Sequence, residues 1–209
     1  EEAVEVTRAF TNLKLSLMPY LAVAGEEAAA TGVPVMRAPM IEYPRDRAVA
    51  GLGTQYFLGD SLLVALVFSE YGHVDVYLPR EDRGDTGRWT QLLTGERVDG
   101  GQWRAESHGF DSVPLYVRPG TVLPVGAVQD TPEYAWAQGV TLRLFDLPDG
   151  FDEETFVPGG TGEPATFRVR REGAVVTVST SDAPGAWSVE AAGRVSDGEG
   201  PGTVTLELP

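Results

Sequence analysis

The sequence has no cysteine, and this absence removes several kinds of chemistry together. Disulfides, thiolate zinc sites and cysteine nucleophiles all need that residue. Histidine is scarce as well, since only His73 and His108 are present, so a histidine-rich metal centre is not expected. Lys14, the only lysine, lies in a helical pattern that favours a solvated surface role over Schiff-base chemistry. We expect no metal and no organic cofactor.

Long apolar runs are also missing. No stretch approaches the roughly 18 apolar residues that a membrane-spanning helix needs, and no basic segment precedes an apolar one at the N-terminus. We therefore expect a soluble chain with no membrane partner, and the absence of cysteine favours a cytoplasmic location. Because the sequence begins at Glu1 rather than Met, we also expect a processed chain or a fragment.

Clustered positive charge is the third absence. The net charge of -15 is spread along the 209 residues without an acidic block. Binding of nucleic acid needs clustered Lys and Arg to neutralise phosphates, so no nucleic-acid partner is expected. Neutral ligands such as sugars remain open, and so does assembly into a homo-oligomer.

Two familiar catalytic signatures do not occur. The sequence has no Gly-x-Ser-x-Gly nucleophile elbow, and neither histidine stands near a nucleophile signature. Two glycine-rich segments, 51–53 and 159–162, lack the following Lys or the strand-to-helix context of a phosphate-binding loop. Serine-hydrolase and phosphate-binding functions are therefore not supported.

The first part of the chain has the pattern of a helix followed by a strand. Apolar residues recur every three or four positions from Val4 to about Thr31, with a kink or an end expected at Pro19. A short apolar segment from Val33 to Ile41 then predicts a strand. One helix and one strand cannot bury each other, so residues 1–55 are expected to be the last piece of something larger.

The rest of the chain predicts strands. A continuous apolar run, Leu62 to Phe68, is typical of a strand buried on both faces. Short strands with turns between them then recur about every ten residues, the pattern of β-sandwiches. A boundary is predicted at residues 129–134. The predicted segments, with a loop from Arg80 to Gly87, are His73–Pro79, Arg88–Leu93, Glu106–Phe110, Val113–Arg118, Thr121–Val125, Val140–Phe145, Phe156–Val157, Ala165–Arg170, Ala174–Ser179, Trp187–Glu190 and Thr203–Leu208.

Acidic residues are abundant, so paired carboxylates of the kind that hydrolyse glycosides were considered. Glu42 and Asp46 follow the predicted strand Val33 to Ile41, while Asp60 and Asp111 lie near turns. Spacing alone does not single out a catalytic pair, and a loop or capping role is favoured for each.

Structural roles are also favoured for the tryptophan and histidine side chains. The four tryptophans could form a platform for pyranose rings, but core packing is favoured for each. His73 is expected on a strand or turn, and His108 is expected to satisfy a hydrogen bond in a loop. The tryptophans are Trp89, Trp103, Trp136 and Trp187.

A set of motifs in fixed order resembles the C-terminal part of glycoside hydrolase family 31, the retaining alpha-glucosidases and alpha-xylosidases. The motifs from Pro132 and His108 are more similar to the bacterial alpha-xylosidase branch. One departure is Leu66, where family members usually have Pro. The motifs are LMPYL from Leu17, GVPVMRAPMIEYPRD from Gly32, QYFLGDSLLVA from Gln55, VYLP from Val76, Trp89-Thr90, HGFDSVPLYVRPG from His108 and PEYAW from Pro132.

The resemblance implies a mostly β chain: the end of a (β/α)8 barrel followed by two C-terminal antiparallel β-sandwich domains. The implied divisions are 1–55 for the barrel end, 56–130 for the proximal sandwich and 131–209 for the distal one. The family's two catalytic aspartates occupy earlier barrel strands in motifs that this sequence lacks, so no catalytic residue is assigned. Arg37, Glu42 and Asp46 match family positions, and we expect them to hold the closing turn of the barrel rather than contact substrate.

The expected function follows from that resemblance. The whole protein would be a retaining, exo-acting alpha-glycosidase that meets its oligosaccharide through the absent barrel. An alpha-xylosidase acting on xylosides or xylogluco-oligosaccharides is favoured, and an alpha-glucosidase would differ only in substrate. The 209 residues alone would be inactive. The alternative is a non-catalytic carbohydrate-binding or assembly module, which predicts Trp89 or Trp103 exposed on a flat face. The enzyme hypothesis predicts exposed apolar side chains in residues 1–55.

Overall fold

The computed structural model describes residues 2–80 and 87–209, and it is mostly β structure. It divides into two compact units. Unit 1 contains the residues up to Glu26 together with Val122–Pro209, and unit 2 is Glu27–Thr121. The loop predicted from Arg80 to Gly87 lies, for residues 81–86, outside the described part of the chain. The predicted domain divisions at residues 55 and 130 stay predictions.

The N-terminal helix is interrupted where the sequence predicts. Helix α1 covers Glu2–Ser16 and helix α2 covers Met18–Thr31. Pro19 has no N–H to give to the carbonyl of Leu15, four residues earlier, so the helical ladder breaks there. In unit 1 the freed Leu15 carbonyl accepts a hydrogen bond of 3.1 Å from the Tyr134 hydroxyl. Pro19 thus ends α1 and frees the Leu15 carbonyl, whose hydrogen bond from Tyr134 fixes α1 to the sandwich of unit 1.

The strand predicted from Val33 to Ile41 is wrong in most of its length. Only Met36–Arg37 forms a strand, β1, and a short helix, α3, follows at Pro39–Glu42. Pro34 cannot donate to a ladder, and Pro39 occupies the first turn of α3, where a missing N–H is tolerated. The two prolines therefore confine the strand to the residues between them. A 3-10 helix, Arg47–Gly51, leads to the next strand.

The strands of unit 2 after β1 are β2 Gln55–Leu58, β3 Leu62–Ala65, β4 His73–Leu78, β5 Arg88–Gln91, β6 Arg97–Asp99, β7 Gln102–Ser107 and β8 Leu115–Val117. Six strands form a sheet with the order β1-β2-β3-β8-β5-β6, and β4 pairs with β7 in a separate ribbon. The core of unit 2 includes Trp89, Phe57 and Tyr43, whose rings contact one another.

Strand β3 confirms the prediction of burial on both faces, because all four of its residues are buried. The predicted length is wrong, since β3 ends at Ala65, and Leu66 and Phe68 are exposed. The amide of Ala65 bonds the carbonyl of Pro114, and Pro114 has no N–H to extend the ladder. The strand predicted from Glu106 to Phe110 likewise ends at Ser107.

Unit 1 contains two four-stranded sheets around one apolar core, in which Phe167 and Trp187 lie edge to face at 5.2 Å. The strands are β9 Thr121–Val125, β10 Thr141–Phe145, β11 Asp152–Val157, β12 Ala165–Glu172, β13 Val175–Thr180, β14 Ala186–Ala191, β15 Arg194–Glu199 and β16 Gly202–Glu207. Their orders in the two sheets are β15-β14-β10-β9 and β11-β12-β13-β16.

One pairing in unit 1 departs from the predicted antiparallel sandwich. Strands β10 and β14 run parallel, with Thr141 opposite Ser188. The chain between them forms three strands of the other sheet, so it returns to β10 in the same direction. A long crossover of this kind is what a parallel pair requires, whereas a tight hairpin would have made the pair antiparallel.

The β14–β15 hairpin carries local backbone strain that a substitution can relieve. Its two-residue turn places Ala192 at φ 50° and Gly193 at φ 77°, as in a type I′ turn. Alanine is disfavoured in this left-handed region, and Asn is preferred there. We expect Ala192→Asn to raise the free energy of unfolding by about 0.5–1 kcal/mol, and Gly193→Ala to lower it by about 1 kcal/mol. Urea unfolding checks both, and equal shifts in the same direction would contradict the turn assignment.

Candidate functional site

The buried guanidinium of Arg37 is the centre of a polar cluster in unit 2. Its Nη1 donates to Glu42 Oε1 at 2.8 Å, and its Nε donates to the Pro34 carbonyl at 3.0 Å. Its Nη2 donates to Glu27 on α2. Only 3% of the Arg37 side chain is exposed, so these partners replace water almost completely.

Glu42 joins this cluster to a second arginine. Its Oε2 lies 3.1 Å from Nη1 of Arg118, whose guanidinium also lies 4.7 Å above the ring of Tyr43. Arg118 follows β8 and also donates to the carbonyl of Asp60 at 3.3 Å. Each oxygen of Glu42 therefore meets a different guanidinium, and the carboxylate joins Arg37 to Arg118.

Asp46 has two structural contacts. Its Oδ1 accepts the amide of Ala48 at 2.9 Å and so caps the 3-10 helix. Its Oδ2 accepts the hydroxyl of Tyr77 at 2.7 Å. Burial, together with this hydrogen bond, raises the pKa of Tyr77 to about 12. The contacts of Arg37, Glu42 and Asp46 all fix the segment that follows β1.

The other two acids considered from the sequence lie at the surface. Asp60 is exposed in the β2–β3 turn, where Oδ1 accepts the Ser61 hydroxyl at 2.8 Å. Asp111 is exposed in the turn after β7. Glu42 and Asp46 are occupied by the structural partners described above, whereas Asp60 and Asp111 lie in separate turns.

A second polar cluster, around Glu106, was not predicted. Glu106 Oε1 accepts the hydroxyl of Tyr116 and, at 2.9 Å, the Nε of Arg104. Its Oε2 lies 2.9 Å from Nε2 of His108, whose Nδ1 lies 2.6 Å from the hydroxyl of Ser112. His108 thus makes the predicted loop hydrogen bond, and exposed His73 lies on β4 as expected. The sequence feature that could have indicated this cluster is the two-residue spacing of Arg104 and Glu106, since alternate residues of a strand share a face.

The electrostatics of this cluster favour a fixed carboxylate. Burial alone would raise the pKa of Glu106, but hydrogen bonds from Tyr116, His108 and Arg104 hold it below its usual range. Burial and the same carboxylate raise the pKa of Tyr116. A carboxylate that accepts hydrogen bonds from three donors is a poor general base. The hydrogen bonds from Glu106 through His108 to Ser112 instead hold the turn after β7 in place.

The tryptophans divide between core and surface. Trp89 is fully buried, with its Nε1 donating to the Pro79 carbonyl at 2.9 Å, and Trp187 is buried in unit 1. Trp136 is half-buried. The expectation of core packing is wrong for Trp103, which is 54% exposed and lies 5.3 Å from the ring of Tyr77. A tryptophan on a two-stranded ribbon has only one layer to pack against.

Metal and membrane sites were also sought. Within residues 2–80 and 87–209, no three His, Asp or Glu side chains gather in a way that could hold a metal ion. None of the helices in these ranges is long and apolar enough to cross a membrane.

Two family models match separate parts of the chain. Residues 32–123 match the glycosyl hydrolase family 31 C-terminal domain, and residues 135–208 match the C-terminal domain of the alpha-xylosidase YicI. The chain belongs to glycoside hydrolase family 31. The first match includes both polar clusters except for Glu27, and the second covers most of the sandwich in unit 1.

Among curated proteins of family 31, two alpha-xylosidases show the extent of the similarity. The enzyme of Emericella nidulans is 38% identical over 135 residues, which are 64% of this chain and 17% of the relative. Alpha-xylosidase XylQ of Lactiplantibacillus pentosus is 32% identical over 184 residues, which are 86% of this chain and 23% of the relative. The chain thus spans about a fifth of the length of these relatives.

Solved structures of family 31 enzymes share the fold. A dextranase of Flavobacterium johnsoniae, complexed with glucose, covers 91% of this chain with a TM-score of 0.77 and 23% identity. An alpha-xylosidase of Xanthomonas citri covers 95% with a TM-score of 0.72 and 21% identity. The chain covers 25% and 24% of these structures.

Removing the charge of Glu106 should destabilise unit 2. In Glu106→Gln the amide group must face an existing donor, and we expect a loss of about 3 kcal/mol at pH 7. The lowered pKa of Glu106 means that its contribution is complete above the unfolded value of about 4.3 and is lost as the pH falls through the folded value. The difference in free energy of unfolding between Glu106→Gln and wild type should therefore become smaller as the pH falls below about 4.3. Urea unfolding at several pH values measures this difference.

Glu96→Gln is the matched control, because Glu96 is half exposed and also bonds Arg104. We expect a change below about 0.5 kcal/mol for this exposed pair. Equal losses in the two variants, or a difference that does not vary with pH, would contradict the role assigned to Glu106.

Replacing Arg37 should lower the free energy of unfolding more than replacing an exposed arginine. Arg37→Met keeps the approximate side-chain length but leaves Oε1 of Glu42 and the Pro34 carbonyl without their donor. We therefore expect the free energy of unfolding to fall by about 3–5 kcal/mol. Arg8→Met on α1 removes only an exposed pair with Glu5 and should cost less than about 0.5 kcal/mol. Thermal and urea unfolding of both variants compare the two, and similar stabilities would refute the buried-charge argument.

Proposed function

We propose that this chain is the C-terminal portion of a retaining, exo-acting alpha-glycosidase whose substrates are alpha-xylosides and xylogluco-oligosaccharides. The observation that carries the proposal is the match of residues 135–208 to an alpha-xylosidase C-terminal domain. Two curated relatives above 30% identity, from Emericella nidulans and Lactiplantibacillus pentosus, are also named alpha-xylosidases. An alpha-glucosidase is the variant of this proposal that differs only in substrate, and a relative of that name is 28% identical.

The surface of unit 2 supports the barrel end of the proposal. Met36, Met40 and Ile41 lie within six residues and are each about half exposed. Strand β1 is at the edge of its sheet, and its outer side pairs with no other strand of the described chain. Exposed apolar side chains in residues 1–55 are what the enzyme hypothesis predicts, so this surface supports the proposal.

In the proposed reaction, one aspartate of the whole protein attacks the anomeric carbon and another protonates the leaving oxygen, then activates water. Both aspartates would lie on barrel strands before residue 1. Arg37, Glu42 and Asp46, which lie in the part matched to the C-terminal domain, would fix the segment after β1 rather than contact the substrate. Binding of oligosaccharide through the barrel, the lack of nucleic-acid or membrane partners, and a cytoplasmic location belong to the same proposal.

A non-catalytic carbohydrate-binding module is the second candidate, and exposed Trp103 favours it. The ring planes of Trp103 and Tyr77 meet at 46°, so the two do not form one flat platform. This candidate predicts saccharide binding by the 209 residues alone, with loss of binding in Trp103→Ala. The enzyme proposal requires neither result.

The proposal is tested on the native protein. An antibody raised against the 209-residue chain should detect a polypeptide several times larger than 22.4 kDa, with hydrolysis of an aryl alpha-xyloside in the same fraction. The 209-residue chain alone should show no hydrolysis. A soluble native protein near 22 kDa without this activity would refute the proposal and leave the binding module.

A further inference from the structure

Helix α1 is buried only at its carboxyl end. Of its residues Glu2–Ser16, Leu15 and Ser16 are buried, and the rest are partly or fully exposed. A helix of 15 residues is at best marginally stable in water on its own, so most of its order has to come from packing. The contacts made at Leu15 and Ser16 therefore control how firmly α1 stays folded.

Two backbone carbonyls at this end of α1 accept hydrogen bonds from residues much later in the chain. The Leu15 carbonyl, which Pro19 leaves free, accepts the hydroxyl of Tyr134 at 3.1 Å. The Ser16 carbonyl accepts the amide of Gly126 at 2.7 Å. Buried carbonyls need donors from the protein because water does not reach them. The end of α1 is thus fixed by two hydrogen bonds from the part of unit 1 that follows β9.

These two donors fit closely against each other. A Cβ at Gly126 would lie 1.9 Å from the hydroxyl oxygen of Tyr134, so the hydroxyl reaches α1 only because glycine stands there. Tyr134 is buried, and a buried phenol needs a hydrogen-bond partner inside the protein. The position of the Tyr134 backbone therefore determines whether its hydroxyl meets the Leu15 carbonyl.

The backbone around Tyr134 is held by the glycine-rich segment 159–162, which lies between β11 and β12. The amide of Thr161 donates to the Tyr134 carbonyl at 3.0 Å. In the opposite direction, the amide of Trp136 donates to the Gly159 carbonyl at 3.1 Å. These bonds align the two segments as a short antiparallel pair. We call residues 159–162 the glycine strap.

Two glycines allow the glycine strap to lie this close. A Cβ at Gly160, where φ is +62°, would lie 2.3 Å from the Tyr134 carbonyl oxygen and 2.8 Å from the ring of Trp136. A Cβ at Gly162 would lie 2.8 Å from the Cβ of Ala135. A larger residue at either position would push the two segments apart. The glycines thus serve a close approach of two backbones.

We infer that the glycine strap is a conformational device that keeps α1 folded by holding Tyr134 against the end of the helix. The strap fixes the Tyr134 backbone, the Tyr134 hydroxyl binds the Leu15 carbonyl, and this bond orders the carboxyl end of α1. All of these contacts lie within unit 1. The inference therefore goes beyond the proposed function and does not depend on it.

Hydrogen–deuterium exchange of the 209-residue chain, measured by mass spectrometry on a peptide from α1, tests the inference. Tyr134→Phe removes one hydroxyl and should speed exchange in α1 about three- to tenfold, as expected for one lost hydrogen bond. Gly160→Ala should speed exchange at least as much, because the added Cβ displaces the Tyr134 backbone. The double variant should exchange no faster than Gly160→Ala, since both changes break the same contact.

Gly173→Ala is the matched control. Gly173 also has a positive φ, +60°, but a Cβ there would meet nothing within 4 Å. The substitution adds similar backbone strain and should leave exchange in α1 within about twofold of wild type. A peptide from β12 reports whether the sandwich stays folded. Where Gly160→Ala speeds exchange in β12 as well, Gly162→Ala takes its place, because its added Cβ meets only one side chain closely.

Faster exchange confined to α1, in Tyr134→Phe and in the strap variant, would support the inference. Wild-type exchange in either variant would overturn it, as would equal exchange in Gly160→Ala and Gly173→Ala. A double variant whose acceleration is the product of the two single accelerations would show that the strap and Tyr134 act separately, which also overturns it. Strap variants that both speed exchange in β12 would assign the strap to the whole sandwich instead of α1.

Discussion

A buried positive charge that must be paired is the constraint on which unit 2 depends. The guanidinium of Arg37 is almost completely out of water, and leaving it unpaired would cost several kcal/mol. Its partners come from three places in the chain: Glu27 on α2, the Pro34 carbonyl, and Glu42 at the end of α3. Glu27, the loop before β1 and the short helix α3 are thus held in one arrangement.

The Glu106 cluster applies the same physics with the opposite sign. Here a buried carboxylate collects Arg104, Tyr116 and His108, and the geometry of the β7–β8 connection follows from satisfying it. Buried polar groups are costly when unpaired, so each network selects one loop conformation among the many that a sheet alone would permit. These networks act beside an apolar core, around Trp89, which also includes Tyr43 and Val49 from outside the strands.

The sequence predicted those features that depend on local pattern. Thr121–Val125 forms a strand as predicted, and the break before Pro19 follows from a missing N–H. Features that depend on a distant partner were not accessible. The length of β3 is decided by Pro114, the exposure of Trp103 by the absence of a second layer, and the Glu106 cluster by a strand pairing that sequence spacing does not reveal. Strand β15 was missed because alternate exposure of its residues leaves little apolar signal.

The contacts of the acidic side chains indicate what this part of a family 31 protein can contribute to the whole protein. A catalytic carboxyl must gain and lose a proton near working pH, which requires a pKa close to it and a free path to the substrate. Glu42 is fixed between two guanidiniums, Asp46 between a helix cap and Tyr77, and Glu106 among three donors that lower its pKa. Carboxyl groups whose oxygens are occupied in this way have no free path to a substrate, but they can hold a surface in place. The contribution of these residues is therefore geometric.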